Sequence, residues 1–176
     1  MHKLMQNLFP PLMLLALYWG LAQAQPDVRY EPSPMSVVET MTGLAQVKAD
    51  DVVYDLGCGD GRIVIAAAKR GARAVCVDID PVRIAEASEN ARSAGVAERI
   101  DFRTQDLFAV DLSDASVVML FLSPEFNLKL RPRLQAMKSG TRIVSHWHDM
   151  GDWRPQQALQ VAGGWRSHPV YLWVIP

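Results

Sequence analysis

Asp55 stands two residues ahead of a glycine turn, Gly57-Cys58-Gly59-Asp60-Gly61, which follows the apolar stretch Val52-Val53-Tyr54. Glycines at alternate positions reach backbone angles that a Cβ forbids, and they let a ligand lie against bare main chain. The spacing is G-x-G-x-G. A dinucleotide pattern started at Gly57 would need its third glycine where Arg62 stands. A carboxylate beside the turn repels a doubly anionic pyrophosphate and attracts a ligand carrying an ammonium and a sulfonium. Farther along, Asp78 and Asp106 follow two more segments rich in apolar residues, and Glu125, His146 and His148 follow later ones. The first three carboxylates suit the binding of a cationic ligand. Glu125 and the histidines suit proton transfer, which needs a group able to take a proton near neutral pH.

Strands must end where these groups stand. Val52–Leu56 is a strand, and the glycine turn launches a helix to about Arg70. Ala74–Asp78 is a second, apolar strand. Asp80-Pro81 is an N-cap followed by a first-turn proline, and its helix runs to Ala94, where Gly95 stops it. Ile100–Thr104 is a third strand. Ser116–Leu122 is the most apolar and belongs at the sheet centre. Ser123 caps a helix to about Met137. Thr141–Ser145 and Tyr171–Ile175 are further strands, with a short strand around Ala158–Val161 pairing with the last. Ahead of them, Ser36 to Glu39 has capping-box spacing, opening an amphipathic helix to about Val47. Alternating strands and helices with apolar strands indicate an α/β domain with a parallel, doubly covered sheet. In such a sheet the ligand lies over the carboxyl ends of the strands, where strand order reverses.

The block Asp55-Leu56-Gly57-Cys58-Gly59-Asp60-Gly61 resembles motif I of the class I S-adenosylmethionine (SAM) methyltransferases. The resemblance implies a Rossmann-like, doubly wound, mostly parallel sheet with a short C-terminal antiparallel strand, and SAM as cofactor. It assigns the amino-acid part of SAM to Asp55, Gly57, Cys58 and Gly59. Asp78, 21 residues after Gly57, is placed to accept both ribose hydroxyls. Asp106 is placed to accept from the adenine amino group, with Ile79 and Leu107 on the two sides of the ring.

The match is narrower than the superfamily. Tyr30-Glu31-Pro32-Ser33-Pro34, then Asp55 to Val64, then Asp106-Leu107-Phe108 and Val117-Val118 occur in order. Together they resemble the small methyltransferases related to the mitochondrial ATP-synthase c-subunit lysine methyltransferase, over roughly residues 28–150. This implies a protein lysine as methyl acceptor, with Tyr30 and Pro32 over the cofactor as a lid. The chain departs from that family at Cys58, where serine is usual, at Asp78, where glutamate is common, and at His146-Trp147-His148-Asp149, where the family is rich in Phe and Pro. A lysine must lose its proton before it attacks, and the candidate catalytic groups are Glu125, His146 and His148, with Asp149 beside them. Ser123-Pro124-Glu125 also reads as a cap, a first-turn proline and a dipole-compatible acid. It replaces the Asn/Asp-Pro-Pro-aromatic motif of enzymes that methylate adenine amino groups. His146 and His148, two apart, share one face if the strand continues through them. With Trp147 and Trp153 they read as a polar, aromatic rim of the acceptor pocket. With Asp149 they fall short of a metal set, so no metal is expected.

The chain has 176 residues and a formal charge of −1, enough for one domain with its own core and without a general pull toward nucleic acid. The partners expected are therefore a protein or small-molecule methyl acceptor, with no nucleic acid. Lys129, Arg131, Arg133 and Lys138 read as the solvated face of a helix. Residues 1–24 read as a signal peptide or N-terminal membrane anchor, with the apolar run Leu12–Leu21 and the small-x-small site Ala22-Gln23-Ala24. The domain is then residues 25–176, exported to the periplasm or tethered to a membrane. Cys58 and Cys76 read as small packing residues, unbridged. Three functions fit: methyl transfer to a protein lysine, methyl transfer to a small molecule, or a non-catalytic exported module that binds SAM or a nucleotide.

Overall fold

The computed structural model describes residues 30–176. The signal-like segment 1–24 lies outside them. Seven strands form one sheet: β1 (Val52–Leu56), β2 (Arg73–Asp78), β3 (Ile100–Thr104), β4 (Val117–Leu120), β5 (Arg142–His146), β6 (Gln157–Gly163) and β7 (Arg166–Val174), in the order β3-β2-β1-β4-β5-β7-β6. The first five are parallel. The last two form an antiparallel hairpin whose second strand sits beside β5. Both are longer than the sequence pattern indicates. The order reverses between β1 and β4, so a crevice opens at their carboxyl ends.

Alternation along the strands divides the core. Val53, Cys76, Val117, Met119 and Val144 point to helices α1 (Met35–Leu44), α2 (Arg62–Lys69) and α3 (Pro81–Ser93). Tyr54, Leu56, Val77, Leu120, Ile143 and Trp173 point to α4 (Pro124–Gln135), through Leu130 and Leu134. All four residues of β4 are buried, as its uninterrupted apolar run requires at the centre of a doubly covered sheet.

Two predicted caps form. Asp80 Oδ1 accepts from Val82 N at 2.8 Å with Pro81 in the first turn, and Ser123 Oγ accepts from Phe126 N at 3.3 Å. The capping box at Ser36 and Glu39 does not. Helix α1 starts after Pro34 without a side-chain cap, and Ser36 Oγ donates to Ala162 O of β6 at 2.8 Å. A carbonyl 126 residues away takes the hydroxyl that local spacing assigns to the helix end. The basic run of α4 is likewise more than a solvated face. Arg131 binds Met150 O and Asp152, and Arg133 binds Phe108 O and Val110 O. Bare loop carbonyls facing the helix recruit these guanidinium groups.

Candidate active site

Motif I folds as a turn sewn to the end of β2. Gly57 N and Cys58 N donate to Val77 O at 2.8 and 3.1 Å. Gly59 N donates to one oxygen of Asp78 and Asp80 N to the other, both at 3.0 Å. Each oxygen keeps a further lone pair, since a carboxylate has about four acceptor sites. Gly57 and Gly59 have φ of 83° and 55°. A Cβ at Gly57 would meet Leu122 Cδ2 at 2.9 Å, and one at Gly59 would meet the Tyr30 ring at 2.5 Å. Side chains at these two points would fill the cradle.

A further link is covalent. Cys58 and Cys76 form a disulfide, which corrects the reading of both as unbridged packing residues. They lie 18 residues apart in sequence, and only the parallel pairing of β1 with β2 brings the turn over Cys76.

The turn borders a cavity of about 890 Å³, lined by Asp55, Gly57, Cys58, Gly59, Asp78, Ile79, Asp106 and Leu107 from the donor side and by Phe121, Ser123, Glu125, Phe126 and His148 from the other. Every donor-side residue marked in the sequence reaches this cavity. So do Tyr30, Glu31, Pro32 and Ser33. Tyr30 lies over Gly59, with the Arg83 guanidinium 4.5 Å from its ring centroid.

Asp55 is buried at 2 % exposure, and its Oδ2 has no hydrogen-bond partner among the described residues. Burial pushes its carboxyl up to about 8, and the charges of Asp78 and Asp60 push the same way. A buried carboxyl without a partner is costly, and a cationic group in the cavity would satisfy it. The orphaned oxygen, the bare cradle and seven Asp or Glu against three Arg or Lys on the walls fit a SAM molecule, whose ammonium and sulfonium are both positive.

The segment that lies over the turn, residues 30–34, is held by Arg62 and by a chain of hydrogen bonds through two histidines. Arg62 binds Asp60 through Nε and Nη2 and donates from Nη1 to Ser33 O at 2.6 Å. Burial raises the Asp60 carboxyl, but Arg62 outweighs it and holds the group below the usual carboxylate range. Ser33 Oγ lies 2.8 Å from His146 Nδ1, His146 Nε2 lies 2.9 Å from His168 Nδ1, and His168 Nε2 lies 3.1 Å from Gly163 O. A carbonyl only accepts, so His168 carries its proton on Nε2, His146 does the same, and Ser33 donates. Arg62 had a local signal, as it ends the glycine block. Ser33 had one too, in the block that begins at Tyr30, and His168 had none.

The two candidate histidines part company. His146 is buried behind Phe121, ring centroids 4.0 Å apart, and does not line the cavity. Burial, with His168 beside it, lowers its pKa to about 3. His148 does line the cavity, and burial lowers its pKa against the opposing pull of Asp149. The shared face expected from their spacing fails because Trp147 between them has φ of 74°, which ends the strand alternation. Asp149 turns away and accepts from Gly151 N at 3.0 Å.

Residues 55–157 match the family model described as ANTKMT methyltransferase domain. A protein-lysine N-methyltransferase of Saccharolobus islandicus (strain REY15A) is 45% identical over 153 residues, covering 85% of this chain and 95% of that protein. The ATP-synthase c-subunit lysine N-methyltransferase of Homo sapiens is 30% identical over 127 residues, covering 72% of this chain; the match spans 54% of that protein. Among solved structures, an RNA methyltransferase from Salinibacter ruber in complex with S-adenosyl-L-homocysteine shares 49% identity and a TM-score of 0.78, covering 83% of this chain and 94% of that one.

Proposed function

The chain belongs to the ANTKMT methyltransferase family and is a SAM-dependent methyltransferase, and from that premise we propose that its acceptor is the side-chain amine of a protein lysine. The observation that carries the choice is the side of the cavity opposite the glycine turn, where Phe121, Phe126, Glu125 and His148 set aromatic rings, a carboxylate and an imidazole that suit an alkylammonium. A polyanion such as RNA meets only Lys129 as a basic group on that side, in a chain of formal charge −1, whereas a lysine ammonium meets Glu125 and two aromatic rings. The protein-lysine N-methyltransferase and the RNA methyltransferase matched above differ in the acceptor they are named for. The wall favours the former. A small-molecule amine is the second reading.

Bound SAM supplies a methyl carbon activated by its sulfonium. The rest falls to this chain, chiefly alignment and a neutral nucleophile. Asp55, Gly57, Cys58 and Gly59 hold the amino-acid end, Asp78 the ribose, and Asp106, Ile79 and Leu107 the adenine. Tyr30 and Pro32 close over the turn and keep water out. His148, neutral because it is partly desolvated, takes the proton of the acceptor ammonium.

Residues 1–24 direct export or tether the domain to a membrane. The Cys58–Cys76 bond supports that placement, since disulfides persist in oxidising compartments. A reporter fused after Pro176 should fractionate outside the cytosol; a cytosolic reporter overturns it.

The acceptor is tested with the full-length chain, methyl-labelled SAM and an extract of cells that lack the gene. Acid hydrolysis of the precipitated protein should yield labelled methyl-lysine. Label in RNA or in soluble metabolites overturns the reading.

A further inference from the structure

Strand β5 ends at His146, and the next residue breaks its alternation. Trp147 has φ of 74°, and His148 N donates back to His146 O at 3.0 Å. This is a γ-turn with a left-handed centre, a rare and strained form. A bulky aromatic residue at positive φ persists only where its surroundings over-determine it.

Three groups do so here. Trp147 N donates to Pro169 O at 2.8 Å. Ser145 Oγ donates to His148 O at 2.6 Å. Asn127, on the inner face of α4, brings Nδ2 to 3.0 Å from His148 O, 3.1 Å from Ser145 Oγ and 3.4 Å from Asp149 O. Asn127 and Ser145 have no exposed surface. Asn127 Oδ1 is buried without a partner among the described residues, so the amide is kept for its N–H groups. An orphaned acceptor of this kind is a cost that calls for a compensating role.

The turn has one evident consequence. Continued alternation would put His148 on the side of His146, behind Phe121. The turn brings His148 to the cavity wall instead, where Glu125 and Lys129 of α4 are the other titratable groups on its side.

We propose that Asn127 and Ser145 are positioning residues for the methyl transfer: they hold the left-handed turn at Trp147 that carries the His148 imidazole into the cavity to meet the acceptor amine. This rests on the lysine reading above. The N–H bond of the alkylammonium breaks, its proton bonds to an imidazole nitrogen, and the electron pair stays on the amine. That pair forms the new N–C bond as the C–S pair remains on sulfur, and the imidazolium then gives its proton to solvent. Partial desolvation lowers the His148 pKa, so the imidazole stands unprotonated at neutral pH with a lone pair free to accept.

The test uses the full-length chain with His148→Gln, Asn127→Asp and Ser145→Ala, the last a gentler change should Asn127→Asp fold poorly. Loss of a positioned general base lowers rates about 10²- to 10⁴-fold, so His148→Gln should lower labelling of extract protein by that range. A misplaced group costs about 100-fold, so Asn127→Asp should approach that loss and Ser145→Ala should show a smaller loss in the same direction. At a temperature where each variant is folded by circular dichroism, calorimetric SAM affinity should stay near wild type. In the ligand-free protein, the ¹⁵N signals of His148 should titrate closer to the ordinary imidazole range in both positioning variants. If His148→Gln slows transfer while both variants keep wild-type rates and His148 titration, the inference fails and the lysine reading stands. Losses that track SAM affinity or unfolding also overturn it, by making the two residues merely structural. An unaffected His148→Gln removes the base and the inference together. Failure of the lysine reading itself shows separately, as labelled product that is not methyl-lysine.

Discussion

The sulfur of Cys58, in the middle of the glycine turn, is bonded to that of Cys76 in the neighbouring strand β2. The turn that would hold the methyl donor is thereby fastened to the strand whose end carries Asp78. Three hydrogen bonds from backbone N–H groups of the turn run alongside that bond.

Reduction should loosen both the fold and the site. Closing a loop of this sequence separation stabilises a chain by about 3 kcal/mol. For a domain of this size that corresponds to a melting temperature lower by roughly 6–12 °C in the Cys58→Ser/Cys76→Ser variant. Scanning calorimetry with and without SAM measures it, and SAM should bind the variant more weakly. Equal melting temperatures would remove the bond from the account of stability.

SAM binding should release a proton at neutral pH. Free Asp55 titrates near 8 because it is buried, so at pH 7 it is protonated, and the arriving ammonium favours its ionised form. Titration calorimetry in buffers of different ionisation enthalpy should give close to one proton released, and affinity should rise by up to about tenfold from pH 6 to pH 7. Asp55→Asn should bind weakly and release none.

The raised Asp55 also sets a sign for stability. Its folded pKa lies above the unfolded value, so the stability it contributes is complete at acid pH and is lost as pH rises toward about 8. His146 works in the opposite direction. Its folded pKa, about 3, lies below the ordinary histidine value of 6.5, so the unfolded chain binds the extra proton and stability falls as pH drops from 6.5. Urea melts at pH 5 and pH 7 separate the two. His146→Gln should lose the acid-side decline, and Asp55→Asn the alkaline-side one.

Asp78→Ala should weaken SAM by about 1–3 kcal/mol, the range for losing hydrogen bonds to a charged group. It also frees Gly59 N and Asp80 N, so the turn should show faster amide exchange at those two positions. Unchanged SAM affinity would take Asp78 out of the site.

Local physics made much of this legible in residues alone. A strand that stops at Asp55, glycines that need left-handed angles and caps at Asp80 and Ser123 depend on neighbours a few positions away, so spacing reports them directly. The resemblance to lysine methyltransferases rested on the same contiguous blocks, and the family match covers most of them. The box at Ser36 and Glu39 also looked local, yet its hydroxyl had a better acceptor on a strand formed far along the chain.

The amino-acid sequence by itself determined the sheet, the glycine turn and the acid that stands beside it, because each is written within one strand and the turn that follows. Tertiary structure alone decided which cysteines bond, which histidine reaches the cavity, and that Asn127 and Ser33 hold the two sides of the site. Those outcomes depend on contacts such as Ser33 with His146, 113 residues apart, and Asn127 with His148, 21 apart. No periodicity encodes a partner that only folding brings within hydrogen-bond reach.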